Sequence, residues 1–418
     1  MDDSLGGRSI SNASMTESST GVRSRRSTLQ VPADTSGWIE LFLDLVFVAV
    51  TLIFSSSFAA QHAGLAKVWL VVMFAMVWCI WLMTTLVFNR VRPSSLTVRA
   101  ILLAQMFLVT LFAAEAHAGI DHDLSIMCVL YAGLLLTVGL LWGIVALRET
   151  AIDRRYSRGM AACAFSAAAL FLICSPLADS WRYPLGLIAL VIVVVPSLAP
   201  KSLSPTWPRL DLEHLVERLG AFSLIMMGET FIELAQALES HHANSVTGHD
   251  AIVLVFEFLF VFSLWAAYFE DIPHAGLRST RSGLWLFLHL TMQVSIVLMG
   301  VGITAIALIP DGQHLPDQDA VEVFAMMAVF YLSLCGLDWC SERRSFAKLT
   351  LLRLGTASLI VVAGFISWFQ PHLRLDDVVI PAAVLIILNA LLAPRLIAKT
   401  AVVRAVPAPM ADQNIEGS

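Results

Sequence analysis

From Trp38 to Leu392 the chain alternates long apolar runs with short polar segments, and the runs are apolar on every face rather than along one stripe. A helix that crosses about 30 Å of hydrocarbon needs about 20 such residues. Only a helix or a closed barrel satisfies its backbone there. About twelve runs of this kind are predicted as spans. The first six are Trp38–Ala60, Val68–Phe88, Thr97–Ala116, Leu124–Leu147, Gly159–Cys174 and Pro184–Leu198. The second six are Leu212–Leu238, Ile252–Phe269, Gly283–Ile309, Val321–Trp339, Leu351–Phe369 and Val378–Leu392. The fifth, sixth and twelfth fall short of a full crossing. The pattern predicts an all-α, polytopic membrane protein.

Composition agrees. The chain is 58% hydrophobic and 14% charged, against about 25% charged in soluble domains, so most of its surface is expected to face the lipid bilayer. A formal charge of -6 argues against nucleic acid, which demands clustered Lys and Arg. The six cysteines lie mostly within apolar runs without paired spacing, which predicts neither a disulfide framework nor a zinc site. Residues 1–37 are rich in Ser, Thr and Gly, with Arg23, Arg25 and Arg26 clustered. They are expected to form a disordered basic tail, since no apolar core of a cleavable signal follows. The expected organisation is a tail (1–37), a six-helix half (38–198), a Pro-rich connection (199–211), a second six-helix half (212–392) and a C-terminal tail (393–418).

Orientation follows from Lys and Arg in the short loops. One set of alternate loops carries Arg90, Arg92, Arg148, Arg154, Arg155, Arg158, Lys201, Arg209, Arg278, Arg281, Arg343, Arg344 and Lys348, and both tails are basic. The opposite loops hold only Lys67, Arg182 and Arg374. This split supports an even number of spans in a bacterial inner membrane, with both termini cytoplasmic. The outer loops instead gather His62, His117, His122, His241, His242, His249, His314 and His372 with several aspartates. Such a rim could collect protons or divalent cations, although a merely solvated acidic face fits as well.

The two halves share features. The first span opens with Glu40 and Asp44, the seventh with Glu213 and Glu217. Each pair lies one turn apart and so on one helical face. Aromatic clusters close the next span of each half (Trp78, Trp81 and Phe88; Trp265, Tyr268 and Phe269), and Gln105 and His289 fall at similar depth. Six spans per half predicts a parallel repeat about an axis along the membrane normal.

Ionisable residues inside a bilayer are costly and commonly mark a pathway or a polar core. Glu40 and Glu213 sit in the first helical turn, where a carboxylate gains about 0.3–1 kcal/mol from the helix dipole. Asp44 and Glu217 lie deeper, with Arg218 as a natural counter-charge; a structural ion pair joining the halves fits as well as a proton or ion site. Glu229, in Met226-Met227-Gly228-Glu229-Thr230, is expected near mid-membrane, with Gly228 allowing a close helix approach and Thr230 bonding back to its own helix. His289 could pair with Asp44 or Glu217, or serve as a packed histidine. His214 and Glu217, spaced i, i+3, could join Asp44 or Glu40 in a metal site, although the His-Glu-x-x-His spacing is absent.

At these residues the sequence resembles the bacterial low temperature requirement protein A (LtrA) family. The matching segments are Glu40-Leu-Phe-Leu-Asp44-Leu-Val-Phe-Val48, Glu213-His-Leu-Val-Glu-Arg-Leu-Gly220, Met227-Gly228-Glu229, Leu264-Trp265-Ala-Ala-Tyr268-Phe269 and the span around His289. Leu43 stands where the family commonly has an aromatic, and Thr230 where it more often has Ser. The resemblance implies a multi-pass membrane protein and no agreed activity. The leading expectation is a non-enzymatic secondary transporter or permease coupled to protons or a cation and moving an unidentified small solute. Its candidate residues are Asp44, Glu217, Arg218, Glu229 and His289, with Glu40, Glu213 and His214 secondary. The alternatives are a membrane-embedded metal-dependent enzyme and a non-catalytic stress or cold-adaptation protein. No phosphate loop, dinucleotide fingerprint or haem-ligand pair is found, so no cofactor and no resident metal is expected. The sequence leaves a homo-oligomer open.

Overall fold

A computed structural model describes residues 35–60, 64–91, 95–117, 124–198, 211–241, 248–272, 276–277, 281–307, 317–341, 347–369, 384–393 and 395. The N-terminal tail, most of the connection 199–211, the C-terminal tail and most of the histidine-bearing loops lie outside these residues. The first six helices are α1 (Thr35–Ala60), α2 (Gly64–Phe88), α3 (Leu96–His117), α4 (Ser125–Arg148), α5 (Ala151–Cys174) and α6 (Asp179–Leu198). They are followed by α7 (Leu212–His241), α8 (Gly248–Phe269), α9 (Ser282–Ala307), α10 (Asp317–Cys340) and α11 (Ala347–Phe369). A further helical run covers Val384–Ala393. Among the described residues nine helices are long and apolar enough to cross a membrane. This is an all-helical membrane protein.

α7, which carries Glu213, Glu217, Arg218, Glu229 and Glu233, is not among those nine, nor is α8, where Glu257–Phe269 forms a shorter apolar stretch. α5 is longer than expected: it begins at Ala151, so Arg154, Arg155 and Arg158 ride on its first turns instead of a loop. Long basic side chains at a helix end can keep their heads in water while their stems cover apolar surface, so the helix need not stop before them. α6 likewise starts at Asp179 and runs through Pro184 and Pro196, each near an end, where few backbone bonds are lost.

α2 is the central helix, with 83% of its spanning window buried, and α6 is peripheral at 11%. α2 touches α3, α4, α6, α7 and α9, and the strongest pairings are α4 with α5, α9 with α10, and α10 with α11. Large apolar side chains such as Phe42, Leu45, Leu103, Phe107, Phe258 and Phe365 are exposed along the helices, as a lipid-facing surface requires. Lipid is as apolar as the core, so association rests on close packing and interhelical hydrogen bonds.

The loops meet as alternating crossings require. At one end Asn89 and Asp211 exchange side-chain and backbone bonds (2.7 and 2.8 Å), and Arg90 pairs with Glu149 at 2.7 Å. At the other, Ser125 and Ser175 bond each other's carbonyls and Arg182 reaches both.

Candidate functional site

α1 and α7 run in the same direction. Three side-chain contacts join them at one constant separation of 174 positions: Glu40 with His214, Asp44 with Arg218, and Ser55 with Glu229. In a helix, residues spaced by four or seven share a face, and Glu40, Asp44, Thr51 and Ser55 make such a stripe. It meets a matching stripe on α7.

The end of this seam near the α7 N-terminus is a charge cluster. Arg218 Nη2 donates to Asp44 Oδ1 at 2.5 Å and to the Glu40 carbonyl at 3.1 Å. Its Nε lies 3.7 Å from Glu40 Oε2, within ion-pair range but beyond a hydrogen bond. His214 Nε2 reaches the same Glu40 oxygen at 3.1 Å. Trp81 on α2 donates to Asp44 Oδ1 at 2.7 Å. Asp44 is 0% exposed and Arg218 4%, so neither charge has water to fall back on.

One to two turns further along α7 the contacts are neutral. Gln293 on α9 accepts from Trp78 Nε1 at 2.6 Å and donates to Ser223 Oγ at 2.9 Å. These bonds link α2, α7 and α9 through the middle of the bundle.

The far part of the seam is acidic. Glu229, 4% exposed, contacts the Thr51 hydroxyl through Oε2 and the Ser55 hydroxyl through Oε1 at 3.3 Å. Glu233 follows one turn on, with both oxygens buried and without hydrogen-bond partners. Glu257 on α8 is 1% exposed, also has both oxygens unpartnered, and interacts electrostatically with Glu233. Among the described residues no Lys, Arg or His forms an ion pair with any of the three. α9 seals this region: a Cβ at Gly300 would stand 2.5 Å from Thr230 Cγ2 and 3.2 Å from Glu233 Oε2.

A family model for the bacterial low temperature requirement A protein (LtrA) matches residues 35–405. The chain belongs to that family. The protein RA0937 of Rhizobium meliloti (strain 1021) is 27% identical over 308 residues, covering 69% of this chain and 73% of its own length.

In this LtrA-family chain the five leading candidates do not converge on one chamber. Asp44 and Arg218 pair; Glu229 lies about three turns along α7. His289 is fully buried, with Nδ1 2.8 Å from the Trp285 carbonyl and Nε2 3.0 Å from the Tyr268 hydroxyl. The carbonyl can only accept, so Nδ1 carries the proton and Nε2 accepts from Tyr268. That is the packed, satisfied histidine, one of the two expectations; it pairs with neither Asp44 nor Glu217. Glu217 and Glu213 are exposed, because the 3.6-residue period that aims Arg218 at α1 turns both acids outward. Glu217 therefore does not join His214, Glu40 and Asp44. Among the described residues no group of three or more His, Cys, Asp or Glu is arranged to hold a metal ion, which leaves the metal-enzyme reading without a ligand set there.

Gly228 is also corrected. A Cβ there would meet nothing within 4 Å; the close approach belongs to Gly300 on the facing helix. Thr230 does bond back to its own helix, at Met227 O, 2.8 Å. Sequence reasoning missed Glu257 and a second charge cluster, in which fully buried Arg353 pairs with Asp338 and with Asp271 (3.3 Å) and donates to Ala267 O at 2.8 Å. Both were visible as single charges inside apolar runs, Glu257 in Leu-Val-Phe-Glu-Phe-Leu and Arg353 in Leu-Leu-Arg-Leu. Two cavities of about 270 and 240 Å³ lie between α2 and its neighbours, with almost wholly apolar walls and none of the acidic candidates in their linings.

Proposed function

We propose that this chain is a secondary carrier of the inner membrane, with twelve spans, cytoplasmic termini, and coupling to protons or a cation that moves a small solute. The observation that carries this reading is the stripe of ionisable side chains on one face of α7. His214, Arg218, Glu229 and Glu233 lie within about 100° of one another around the helix and face α1 and α9, while Ser223 turns aside to Gln293. Buried ionisable groups in a membrane are kept at a cost that transport function commonly explains. The stripe holds a cation–acid lock at one end and uncompensated acids at the other, two elements that a coupled carrier needs. Asp44, Arg218, Glu40 and His214 form the cytoplasmic lock, and Glu229 is the ion-binding acid.

A parallel duplication supports the same architecture. Thr84 bonds Gln105 between α2 and α3, and Tyr268 bonds His289 between α8 and α9, each pair 21 residues apart. The constant offset between parallel α1 and α7 fits such a repeat.

The test uses proteoliposomes on a solid-supported membrane, with solute jumps from a panel of amino acids, sugars and inorganic cations under an inward pH gradient. A solute-dependent current lost in Glu229→Gln supports the carrier. An equal current in that variant removes Glu229 from the mechanism.

A further inference from the structure

The hydroxyls facing Glu229 have too few hydrogens for the contacts they make. Thr51 Oγ1 lies 2.7 Å from the Val48 carbonyl and also touches Glu229 Oε2. Ser55 Oγ lies 3.0 Å from the Leu52 carbonyl and 3.3 Å from Glu229 Oε1. A hydroxyl donates once and accepts twice. A carbonyl can only accept, so when the Thr51 proton goes to Val48, the contact with Glu229 needs a hydrogen on the carboxyl. A neutral Glu229 donating to Thr51, which donates to Val48, gives each of the Thr51 contacts a hydrogen. A carboxylate would leave two acceptors competing for one hydrogen in a buried place.

Direct contact between Thr51 and Glu229 also leaves no gap for a metal cation, which would have to stand between their oxygens. Oxygen-ligated Ca²⁺ takes about 6–8 donors at about 2.3–2.6 Å, and Mg²⁺ about six. Among the described residues the acids are not gathered in that way. Next along the seam, Glu233 and Glu257 present four buried oxygens without hydrogen-bond partners. The titratable groups facing this region are Glu229 and Glu233 from α7 and Glu257 from α8. α1 offers the hydroxyls of Thr51 and Ser55, and α9 offers Gly300.

We propose that Glu229, Glu233 and Glu257 form a proton-holding chain across the α1–α7–α8 interface, with Glu257 as a proton site of its own. Each carboxylate takes up one proton to become a neutral acid and returns to carboxylate when it passes that proton on. The inference rests on the carrier reading only for the use made of the protons; their binding is a separate matter. It narrows the coupling ion to H⁺.

The full chain in lipid nanodiscs, titrated by infrared difference spectroscopy, tests this without any transported solute. The carbonyl stretch of neutral carboxylic acids is expected to bleach as pH rises. Glu229→Gln, Glu233→Gln and Glu257→Gln should each remove part of that signal, with the circular-dichroism helix content unchanged. Bleaching that persists in full in Glu257→Gln overturns the assignment of Glu257. Signal displaced at constant pH by Na⁺, K⁺ or Mg²⁺ overturns the proton proposal in favour of a cation site. Proton signals without any solute current would leave this inference standing and count against the carrier alone.

Discussion

The two halves of α7 face the same neighbour, α1, in the same register, and they treat charge in opposite ways. Near the N-terminus Arg218 meets Asp44 and Glu40, and His214 contacts Glu40, so each acid faces a basic side chain. In the far half Glu229, Glu233 and Glu257 have hydroxyls, apolar walls and one another. A matched buried pair is set by the fold and comes apart only at high cost. An unmatched acid needs something exchangeable to neutralise it, which is how a carrier senses an ion. The contrast separates the part of the seam that holds α1 in place from the part available for chemistry.

The sharpest way to break the comparison is Arg218→Gln, which strands Asp44 without its cation. Loss of one partner of a buried pair costs about 3–5 kcal/mol, read as a lower unfolding midpoint in detergent. The double variant Asp44→Asn with Arg218→Gln should recover most of that loss. An equal loss in the double variant would show that the two charges are not paired. Gly300→Ala should cost about 1–3 kcal/mol through overpacking against Thr230, and Gly228→Ala, in open space, much less. A reversed order would misplace α9 on the acidic half. Glu229→Gln should change stability by less than about 1 kcal/mol, because an amide can still donate to Thr51 as a neutral acid does. A large loss would mean that an ionised Glu229 supports the fold. Glu217→Gln should leave both the unfolding midpoint and the pH response unchanged, as its side chain is exposed.

Much of this was legible in the sequence. Apolar run length set the helices. The acid on α1 and its counter-charge on α7 were recognisable from spacing, and Asp44 with Arg218 is the pair that forms. Spacing failed where facing matters. Glu217 is adjacent to Arg218 in sequence but about 100° away around the helix, and only the docking of α1 decides which of the two is buried. His289 found Tyr268 on α8 instead of an acid, a choice made by tertiary packing. Glu257 and Arg353 carry the same signal as Glu229, a lone charge in an apolar run, but no motif surrounds either of them.

On the proposed reading the far half of α7 exchanges protons while the near half does not. Charge displacement after a rapid pH jump, recorded on proteoliposomes adsorbed to a solid-supported membrane, tests it most directly. The displacement should vanish when Glu229, Glu233 and Glu257 are all changed to Gln and persist when Asp44→Asn is combined with Arg218→Gln. Persistence in the triple variant with loss in the double one would contradict the account.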